Sequence, residues 1–595
     1  MNMFNNLPLK KYFSAVCLIV CSLVAAGILG TVSMIAVYQL PTYEMGGNVA
    51  ASLKIYDVEK DRYAWAPSII NSQLDNFTDA IMLSTAAYER GKTFKERVRD
   101  AMLSPSYVYD GITFKSEILP KAFKSQKPEN GVKRRDYARY WHGYVVLYKP
   151  LLMFFTVGDI RIINMMLQAL LLILLMMELF KAGGAKLACP FFLAVLIFNP
   201  VSCVLGLTFA NLYYITLISA LVALKWKLYQ SKYYYLFFLW VGIVTSFMDL
   251  LTYPLTALGC NLIFMILLTS DKFYPKMKKV ILASGFWGTG YGIMWAEKWI
   301  IGWLLTGNNI IQNALSAAKI RTSGDVGTSW EAIAANLKNY NNHIFYALLI
   351  LGLAVLLILY LSGKYKLKSN RAVVLPLLFV AVYPFIWICF MKNHCFIHNW
   401  MTHKIFMLTI LAVVYSLVYS LEKNSAGKRI NVFSLKAWKK NMPQCVKKTA
   451  ITLALVALLY IGYGFMPTAF RVDVSTQYTP EAVMSVKVGE KEISEAPWMQ
   501  KGGRRGFVFQ KSGYSARFEL LMKEDGDVTI ALRNPNERSV GEGCRNRWIK
   551  YTDFTINEDK IQTEPVEFCY NKPFIYVLKA KKNKLYKIKF KVRRK

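Results

Sequence analysis

The sequence predicts a polytopic α-helical membrane protein, with about eleven transmembrane helices followed by a small β-rich domain outside the membrane. Two observations predict the helical part: 54% of the 595 residues are hydrophobic and only 18% are charged, and apolar runs reach the roughly 18–20 residues that a membrane crossing requires. Strands are predicted because short alternating stretches, broken by glycine, asparagine and proline, follow the last apolar run. We therefore expect a transmembrane domain over 1–468 and a β-rich domain over 469–595.

The predicted spans share high hydropathy and few charged residues. They lie near residues 13–38, 159–180, 187–208, 210–226, 233–250, 253–270, 279–301, 343–362, 372–391, 403–421 and 449–468. The first is too long for the core of a cleaved signal peptide, so we expect an anchor. A short re-entrant or interfacial helix is expected over 140–156, and weak helical periodicity marks 308–321.

Basic residues in the loops orient these spans. If the N-terminus is cytoplasmic, every inner loop carries at least two lysines or arginines, whereas the short outer loops near 209 and 252 carry none. The positive-inside rule therefore predicts a multi-pass plasma-membrane protein whose loops 41–158 and 302–342 and C-terminal domain are extracytoplasmic. The net charge of +36 then reflects orientation in the lipid bilayer, and we expect no nucleic-acid partner. A disulfide between Cys544 and Cys569 would suit the extracytoplasmic location.

Three carboxylates lie where the chain is predicted to leave the membrane on the outer side. Asp75 and Asp79 are four residues apart in an amphipathic helix predicted over 68–88, so both would share one face with Asn76 at its edge. Asp249 ends an apolar span, where a carboxylate is costly unless it faces water or a partner. Such groups could act as a general base or bind a divalent cation. The alternatives are an ordinary solvated helix face and a helix-end residue that reaches water.

Three of the five histidines fall in one predicted outer segment, residues 392–404. His394 and His398 have the spacing of one helical turn, which suits a metal or a phosphate oxygen. No glutamate follows His394, so the zinc-protease pattern is absent.

A second basic segment, residues 133–144, places Arg139 and His142 among tyrosines and a tryptophan. Cations there could hold a lipid phosphate while the aromatic rings pack on sugars. An interfacial aromatic belt with basic anchors is the alternative.

Missing motifs disfavour several classes of protein. The chain has neither a Walker lysine motif nor a Gly-x-Ser-x-Gly nucleophile elbow. Ionisable residues inside the predicted spans are few, apart from Glu297 and Lys298, and no inverted repeat is detectable. The scarcity of ionisable residues in the spans and the lack of an inverted repeat disfavour an ion-coupled transporter.

The arrangement resembles the GT-C class of membrane glycosyltransferases, which have a large first outer loop with an acidic catalytic residue and often a soluble outer domain. The resemblance covers the whole chain through topology and scattered acidic residues, without one signature string. It implies a polyprenyl-phosphate-linked sugar as donor, a cell-surface glycan as acceptor, and an outer carboxylate as base or as ligand of a Mg or Mn ion. The basic end of the tail, 579–595, would suit an anionic wall polymer or a phospholipid surface.

The resemblance also assigns roles to the candidate residues. Asp79 or Asp75 would be the acid of the first loop, with Asp249 as a second acidic group. The donor phosphate and the rest of the substrate would be bound by Arg139, His142, His394, His398, Lys404 and Asn76. The chain lacks an early acidic doublet, so the identity of the base stays open. Alternatives are a lipid-linked sugar flippase, a surface-polysaccharide polymerase or exporter, and a scaffold with an adhesion tail.

Overall fold

The computed structural model describes two units. The described residues are 9–59, 63–66, 71–109, 132–324, 326–361, 365–367, 370–423, 468–476, 483–488, 491–492, 499–501, 504–513, 515–533, 549–562, 566–568 and 574–594. The first unit comprises Met1–Arg321, Asn339–Ile388 and His398–Ser434, and the second comprises Thr322–Lys338, Cys389–Ile397 and Leu435–Lys595.

Most of the described chain before residue 424 is helical. The α-helices are Leu9–Val37, Tyr43–Ala51, Leu53–Glu59, Asn76–Ala86, Phe94–Leu103, Val145–Leu152, Val157–Gly183, Ala185–Phe198, Val201–Leu205, Leu207–Lys225, Tyr234–Met248, Leu255–Leu268, Phe273–Thr306, Ile310–Thr322, Ser329–Lys338, His343–Leu361, Arg371–Ala381, Tyr383–Phe390, Lys392–Ile397, Asn399–Thr402 and Met407–Tyr419. Two short strand pairs accompany them, Pro105–Tyr109 with Val132–Asp136 and Tyr365–Leu367 with Leu421–Lys423. Short 3-10 turns cover Leu228–Gln230 and His403–Phe406.

Five helical segments of the described chain are long and apolar enough to cross a membrane. They are Phe13–Val37, Val157–Gly183, Leu207–Lys225, Arg371–Phe390 and Asn399–Tyr419, and four shorter apolar helices cover Ala185–Phe198, Tyr234–Met248, Leu255–Leu268 and Phe345–Leu356. These helices support the predicted membrane class, but the count of about eleven spans is not confirmed. The span predicted near 449–468 lies almost wholly outside the described residues, as do Cys544 and Cys569.

The helices Tyr234–Met248 and Phe273–Thr306 pack with their backbones in contact. A methyl group added to Gly242 would lie 2.1 Å from a carbonyl oxygen of the facing helix, and one added to Gly290 would lie 2.2 Å from another. Small residues of this kind let two membrane helices approach closely. The second helix ends at Gly307, whose φ of 73° is the left-handed conformation that glycine adopts readily.

The buried carboxylate of Asp79 lies at the start of a helix from another part of the first unit. Both oxygens of Asp79 accept hydrogen bonds from the first turn of Leu207–Lys225: the Leu207 N–H donates over 2.9 Å and the Thr208 N–H over 2.7 Å. The Thr208 hydroxyl donates to the same carboxylate. Because the first N–H groups of a helix lack partners within it, Asp79 caps a helix that lies far along the chain.

Three buried lysines, Lys149, Lys276 and Lys298, lie at the carboxyl ends of other helices. The Lys149 ammonium donates to the carbonyl oxygen of Ala86 over 2.6 Å, and Lys298 donates to that of Met102 over 2.7 Å. Lys276 donates to two carbonyl oxygens at the end of Leu255–Leu268. A cation is favourable there because the last carbonyls of a helix carry partial negative charge.

The C-terminal region forms a β-sandwich, as the alternating pattern predicts. Its strands are Thr468–Thr476, Val483–Val488, Lys491–Glu492, Met499–Lys501, Arg504–Gly513, Ser515–Met522, Gly526–Arg533, Ile549–Ile556, Asp559–Gln562, Val566–Phe568, Phe574–Ala580 and Leu585–Arg594. They form two antiparallel sheets. One core, which includes Val474 and Ile530 from the first sheet and Phe518 and Ile588 from the second, lies between them.

Candidate functional site

The basic segment that contains Arg139 is fastened to two helices of the first unit. The Gly143 N–H donates to the carbonyl oxygen of Phe247, two residues before Asp249, over 2.9 Å. The Trp299 indole N–H donates to the carbonyl oxygen of Arg139 over 2.9 Å. These bonds bring Arg139 to the pair of helices Tyr234–Met248 and Phe273–Thr306, the first of which ends just before Asp249.

Two arginines meet over tyrosine rings in this segment. The Arg139 guanidinium lies 4.5 Å from the ring centre of Tyr137. Arg321, at the end of Ile310–Thr322, lies 5.3 Å from the ring centre of Tyr140 and donates to its hydroxyl. In the described part of the chain no carboxylate forms an ion pair with either arginine, and the buried Nε of Arg139 has no hydrogen-bond partner. Two guanidinium groups without acidic partners favour binding of an anion.

The ionisation of neighbouring groups reports the same positive field. Burial alone would raise the pKa of Tyr137, but Arg139 and Arg321 act against burial and the pKa falls below its ordinary value. Burial lowers the pKa of His142 to about 3, and the charges of Lys298 and Arg139 lower it further, against a hydrogen bond to a carbonyl oxygen. The segment is therefore positively charged at neutral pH through its arginines, and its histidine is neutral.

Four aromatic residues form a ladder along one face of Phe273–Thr306: Trp287, Tyr291, Trp295 and Trp299. Their ring centres are 4.8, 6.1 and 5.8 Å apart in chain order. Tyr140 meets Trp295 edge-on at 5.4 Å, which joins this aromatic ladder to the arginines. Among the described residues, neither the buried Tyr291 hydroxyl nor the buried Trp287 indole N–H has a hydrogen-bond partner. Each buried polar group without a partner calls for an explanation, and a ligand or a water would satisfy these two.

Asp249 follows the helix Tyr234–Met248, which packs against the helix of the aromatic ladder, and only one of its carboxylate oxygens has hydrogen-bond partners. Its Oδ1 accepts from the Thr252 N–H over 3.0 Å and from the Thr252 hydroxyl over 2.7 Å. Its Oδ2 is buried and has no hydrogen-bond partner in the described chain. One carboxylate oxygen is thus left to accept a proton.

The other two predicted carboxylates are held differently. The prediction that Asp75 and Asp79 share a helix face is wrong, because the helix begins at Asn76 and Asp75 caps its start. Asp75 accepts from the N–H of Thr78 over 3.2 Å and from the indole of Trp400 over 3.3 Å. Burial raises the pKa of Asp79 to about 6, against the opposing hydrogen bonds from Thr208. Both residues have a structural contact that would exist without any catalytic role.

Asn76 belongs to a buried polar network. It donates to Glu59 over 2.9 Å, and Glu59 accepts two hydrogen bonds from Arg161 at 2.6 and 2.8 Å. This bidentate pair fixes the start of Val157–Gly183 against the preceding helices. We call Arg139, Arg321 and the tyrosine rings that they contact, Tyr137 and Tyr140, the arginine site. The contacts of Asn76 do not join it to the arginine site.

The histidine pair does not form the predicted one-helix motif. His394 lies in the helix Lys392–Ile397 of the second unit, whereas His398 follows that helix and belongs to the first unit. The helix ends between them, so the expectation of a shared helix face is wrong.

The remaining substrate-binding candidates, His142 and Lys404, are buried. His142 Nε2 lies 2.7 Å from the carbonyl oxygen of Tyr137 and Nδ1 lies 2.9 Å from the Tyr144 hydroxyl. A carbonyl only accepts, so Nε2 carries the proton and both nitrogens are engaged within the protein. Lys404 donates to the Ser202 hydroxyl over 2.9 Å. Neither contact points to a ligand.

Several residues of this site have no place among the sequence predictions, above all Arg321 and the aromatic ladder. The ladder does have a sequence signal, since its aromatic residues recur every four positions and a helix would align them. Arg321 has none, because only the fold returns it to Tyr140. Within the described ranges, no three His, Cys, Asp or Glu side chains lie together as a metal site would require.

Comparisons with protein-family models, with curated proteins and with solved structures found no match to this chain. The residues of the arginine site, their contacts and their charges are therefore the basis for a functional conclusion.

Proposed function

We propose that this protein is an integral membrane glycosyltransferase of the GT-C type, which moves a sugar from a polyprenyl-phosphate donor to a cell-envelope glycan. The observation that carries the proposal is the pair Arg139 and Arg321, which has no acidic partner in the described chain. Tyr140 joins this pair to the aromatic ladder, whose helix packs against the helix that ends at the half-satisfied Asp249.

The arginines would hold the donor phosphate. A guanidinium presents a planar fork of N–H donors that matches phosphate oxygens, and two of them would neutralise the charge that develops as the phosphate leaves. Tyr140 receives a hydrogen bond from Arg321 and would keep that fork in place. A donor linked to lipid also accounts for a chain with apolar helices and no nucleotide-binding motif.

The aromatic ladder and Asp249 would hold the reacting groups. Ring faces such as that of Trp295 pack on the C–H surface of a sugar, and the free hydroxyl of Tyr291 can bond to a sugar hydroxyl. Asp249 Oδ2 would accept the proton of the acceptor hydroxyl, while the oxygen of that hydroxyl bonds to the anomeric carbon. The bond from that carbon to the phosphate oxygen breaks, and the phosphate leaves with the electron pair.

Asp249 is our candidate for the base because one of its oxygens is unengaged. Both oxygens of Asp79 are engaged by the helix that it caps. Catalytic roles for Asp75 and Asp79 stay untested predictions, as do the divalent cation, the cell-surface acceptor and the extracytoplasmic side of the reaction.

The test separates binding from chemistry. Native mass spectrometry of the purified protein with polyprenyl phosphate should show that Arg139→Gln and Arg321→Gln weaken binding by about 10- to 100-fold, the worth of a charged hydrogen bond. Arg99→Gln removes an exposed arginine and should change binding less than about twofold.

Transfer is measured with labelled polyprenyl-phosphate sugars, hexoses and pentoses, and with cell-envelope glycan as acceptor. Asp249→Asn should bind polyprenyl phosphate like the unmodified protein and lose transfer by about 100- to 10,000-fold, the usual worth of a general base. Full transfer by Asp249→Asn would remove it as the base. Donor binding without transfer by the unmodified protein would favour the flippase alternative.

A further inference from the structure

A row of exposed lysines runs along one strand of the β-sandwich and into the hairpin before it. We call it the lysine ridge, and its members are Lys581, Lys582, Lys584, Lys587, Lys589 and Lys591. On the strand Leu585–Arg594 the alternate residues, such as Ile588 and Phe590, are buried in the core. In the described part of the sandwich, Lys591 is the only ridge member with an ion pair, at 2.8 Å from Asp553.

The position of this strand in its sheet rules out a common explanation for exposed lysines. Lysines often protect the open edge of a sheet from pairing with another chain. The strand Leu585–Arg594, however, is paired on both sides, with Ile549–Ile556 and with Ser515–Met522. Its lysines therefore do not protect an open sheet edge, and their exposure needs a different explanation.

Like charges face each other at one point of this strand pair, whereas Lys587 lies opposite Glu519. Arg517 lies directly opposite Lys589 in the register, and both side chains are exposed. Such pairs destabilise a sheet. Arg517 also pairs with Glu519 at 3.1 Å, which leaves Lys589 and Lys587 without ion pairs among the described residues. A bound anion would offset this repulsion.

We propose that the lysine ridge binds a linear, phosphate-bearing polymer that carries no bases. Alternate residues of a strand are about 6.8 Å apart, so Lys587, Lys589 and Lys591 present charges at regular intervals along a straight line. A chain with repeating phosphate groups matches that line, and each contact would release counterions from the polymer.

The residues around the ridge favour such a polymer over two other polyanions. Membrane-docking surfaces combine lysines with several inserted apolar and aromatic residues. Leu585 is the exposed apolar residue on the described part of this strand, and Tyr586 is buried. Sheet surfaces that bind single-stranded nucleic acid use exposed aromatic rings to stack bases. This strand offers none in its described residues.

The test uses the full chain in nanodiscs of zwitterionic lipid and short-chain inorganic polyphosphate as the probe. The triple variant Lys587→Gln/Lys589→Gln/Lys591→Gln should weaken binding at least about tenfold and reduce the slope of log affinity against log salt by about 2. The matched control Lys523→Gln/Lys560→Gln/Lys579→Gln changes the net charge equally at exposed sites off the ridge and should weaken binding less than about twofold.

Three results would overturn the proposal. The first is that the unmodified protein fails to bind polyphosphate. The second is that both triple variants weaken binding equally, because net charge alone would then matter. The third is that the ridge binds phosphatidylglycerol vesicles more tightly than polyphosphate. If the triple variant misfolds, the single reversal Lys589→Glu replaces it, with Lys579→Glu as its control. A polymer-binding ridge would serve an enzyme or a non-catalytic protein equally, so failure of the transfer proposal leaves this one standing.

Discussion

Replacing Gly290 by alanine should destabilise the protein, although the same change elsewhere on the same helix should stabilise it. The added methyl carbon would lie 2.2 Å from a backbone carbonyl oxygen of the facing helix, where ordinary van der Waals contact begins at 3.4 Å. A carbonyl in a helix cannot turn away, so the two helices must separate by about 1 Å. Overpacking of this kind costs about 1–3 kcal/mol.

Gly288 and Gly292 are matched controls. They lie in the same helix, and nothing lies within 4 Å of a methyl group added to either. Alanine there removes the entropic cost of glycine and should raise stability by about 0.5–1 kcal/mol. The expected signs are therefore opposite for positions only two residues apart.

The assay is thermal unfolding of the purified protein in detergent, followed by a dye that reacts with cysteines as they become exposed. Cys203 and Cys260 are buried and report unfolding of the first unit. Gly290→Ala should lower the midpoint temperature, and Gly288→Ala and Gly292→Ala should raise it. A midpoint for Gly290→Ala as high as that of either control would refute the close backbone contact.

The same helix pair carries Asp249 and the aromatic ladder, so Gly290→Ala should also weaken transfer. A displacement of about 1 Å between reacting groups can reduce a rate by about 100-fold. The controls should keep transfer within about twofold, because they leave the distance between the helices unchanged.

Two further predictions concern buried ionisable groups. Asp79→Ala removes a carboxylate that accepts from two N–H groups and a hydroxyl, and it should lower the free energy of unfolding by about 2 kcal/mol. The control Asp271→Ala breaks a partly exposed ion pair with Lys279 and should lower it by at most about 1 kcal/mol. Equal shifts in the unfolding midpoint would contradict the capping role of Asp79. His142 has a folded-state pKa of about 3, below its ordinary value of 6.5, so the unfolded chain binds its proton first and stability should fall as the pH drops from about 6.5 toward 3. His142→Gln cannot titrate, and its unfolding midpoint should fall less between pH 7 and 4 than that of the unmodified protein; parallel curves would show that His142 is not buried and neutral.

The sequence predicts the class of the protein well because hydropathy and strand alternation are local properties. The sequence places Arg139 in the first outer loop and Asp249 at the outer end of a span, but the contacts that bring Arg139 to the helix pair before Asp249 could not be predicted from it. The contacts of Asp79 could not be predicted either, because its helix partners lie 128 and 129 residues away and no local sequence pattern indicates them. The expectation that His394 and His398 share a helix face was wrong, because their spacing implies a shared face only if one helix covers both.

The buried caps have a consequence for how the chain can be assembled. Asp79 is synthesised well before Leu207, whose N–H it accepts, and Met102 well before Lys298, which donates to it. When the ribosome has finished the first segment, the Asp79 carboxylate still lacks its hydrogen-bond donors. The helix end at Met102 likewise still lacks the Lys298 ammonium. Separate expression of the two halves, divided between Gly206 and Leu207, should yield unstable fragments that become stable only when co-expressed. The first unit would then mature late in translation, as a single event rather than helix by helix.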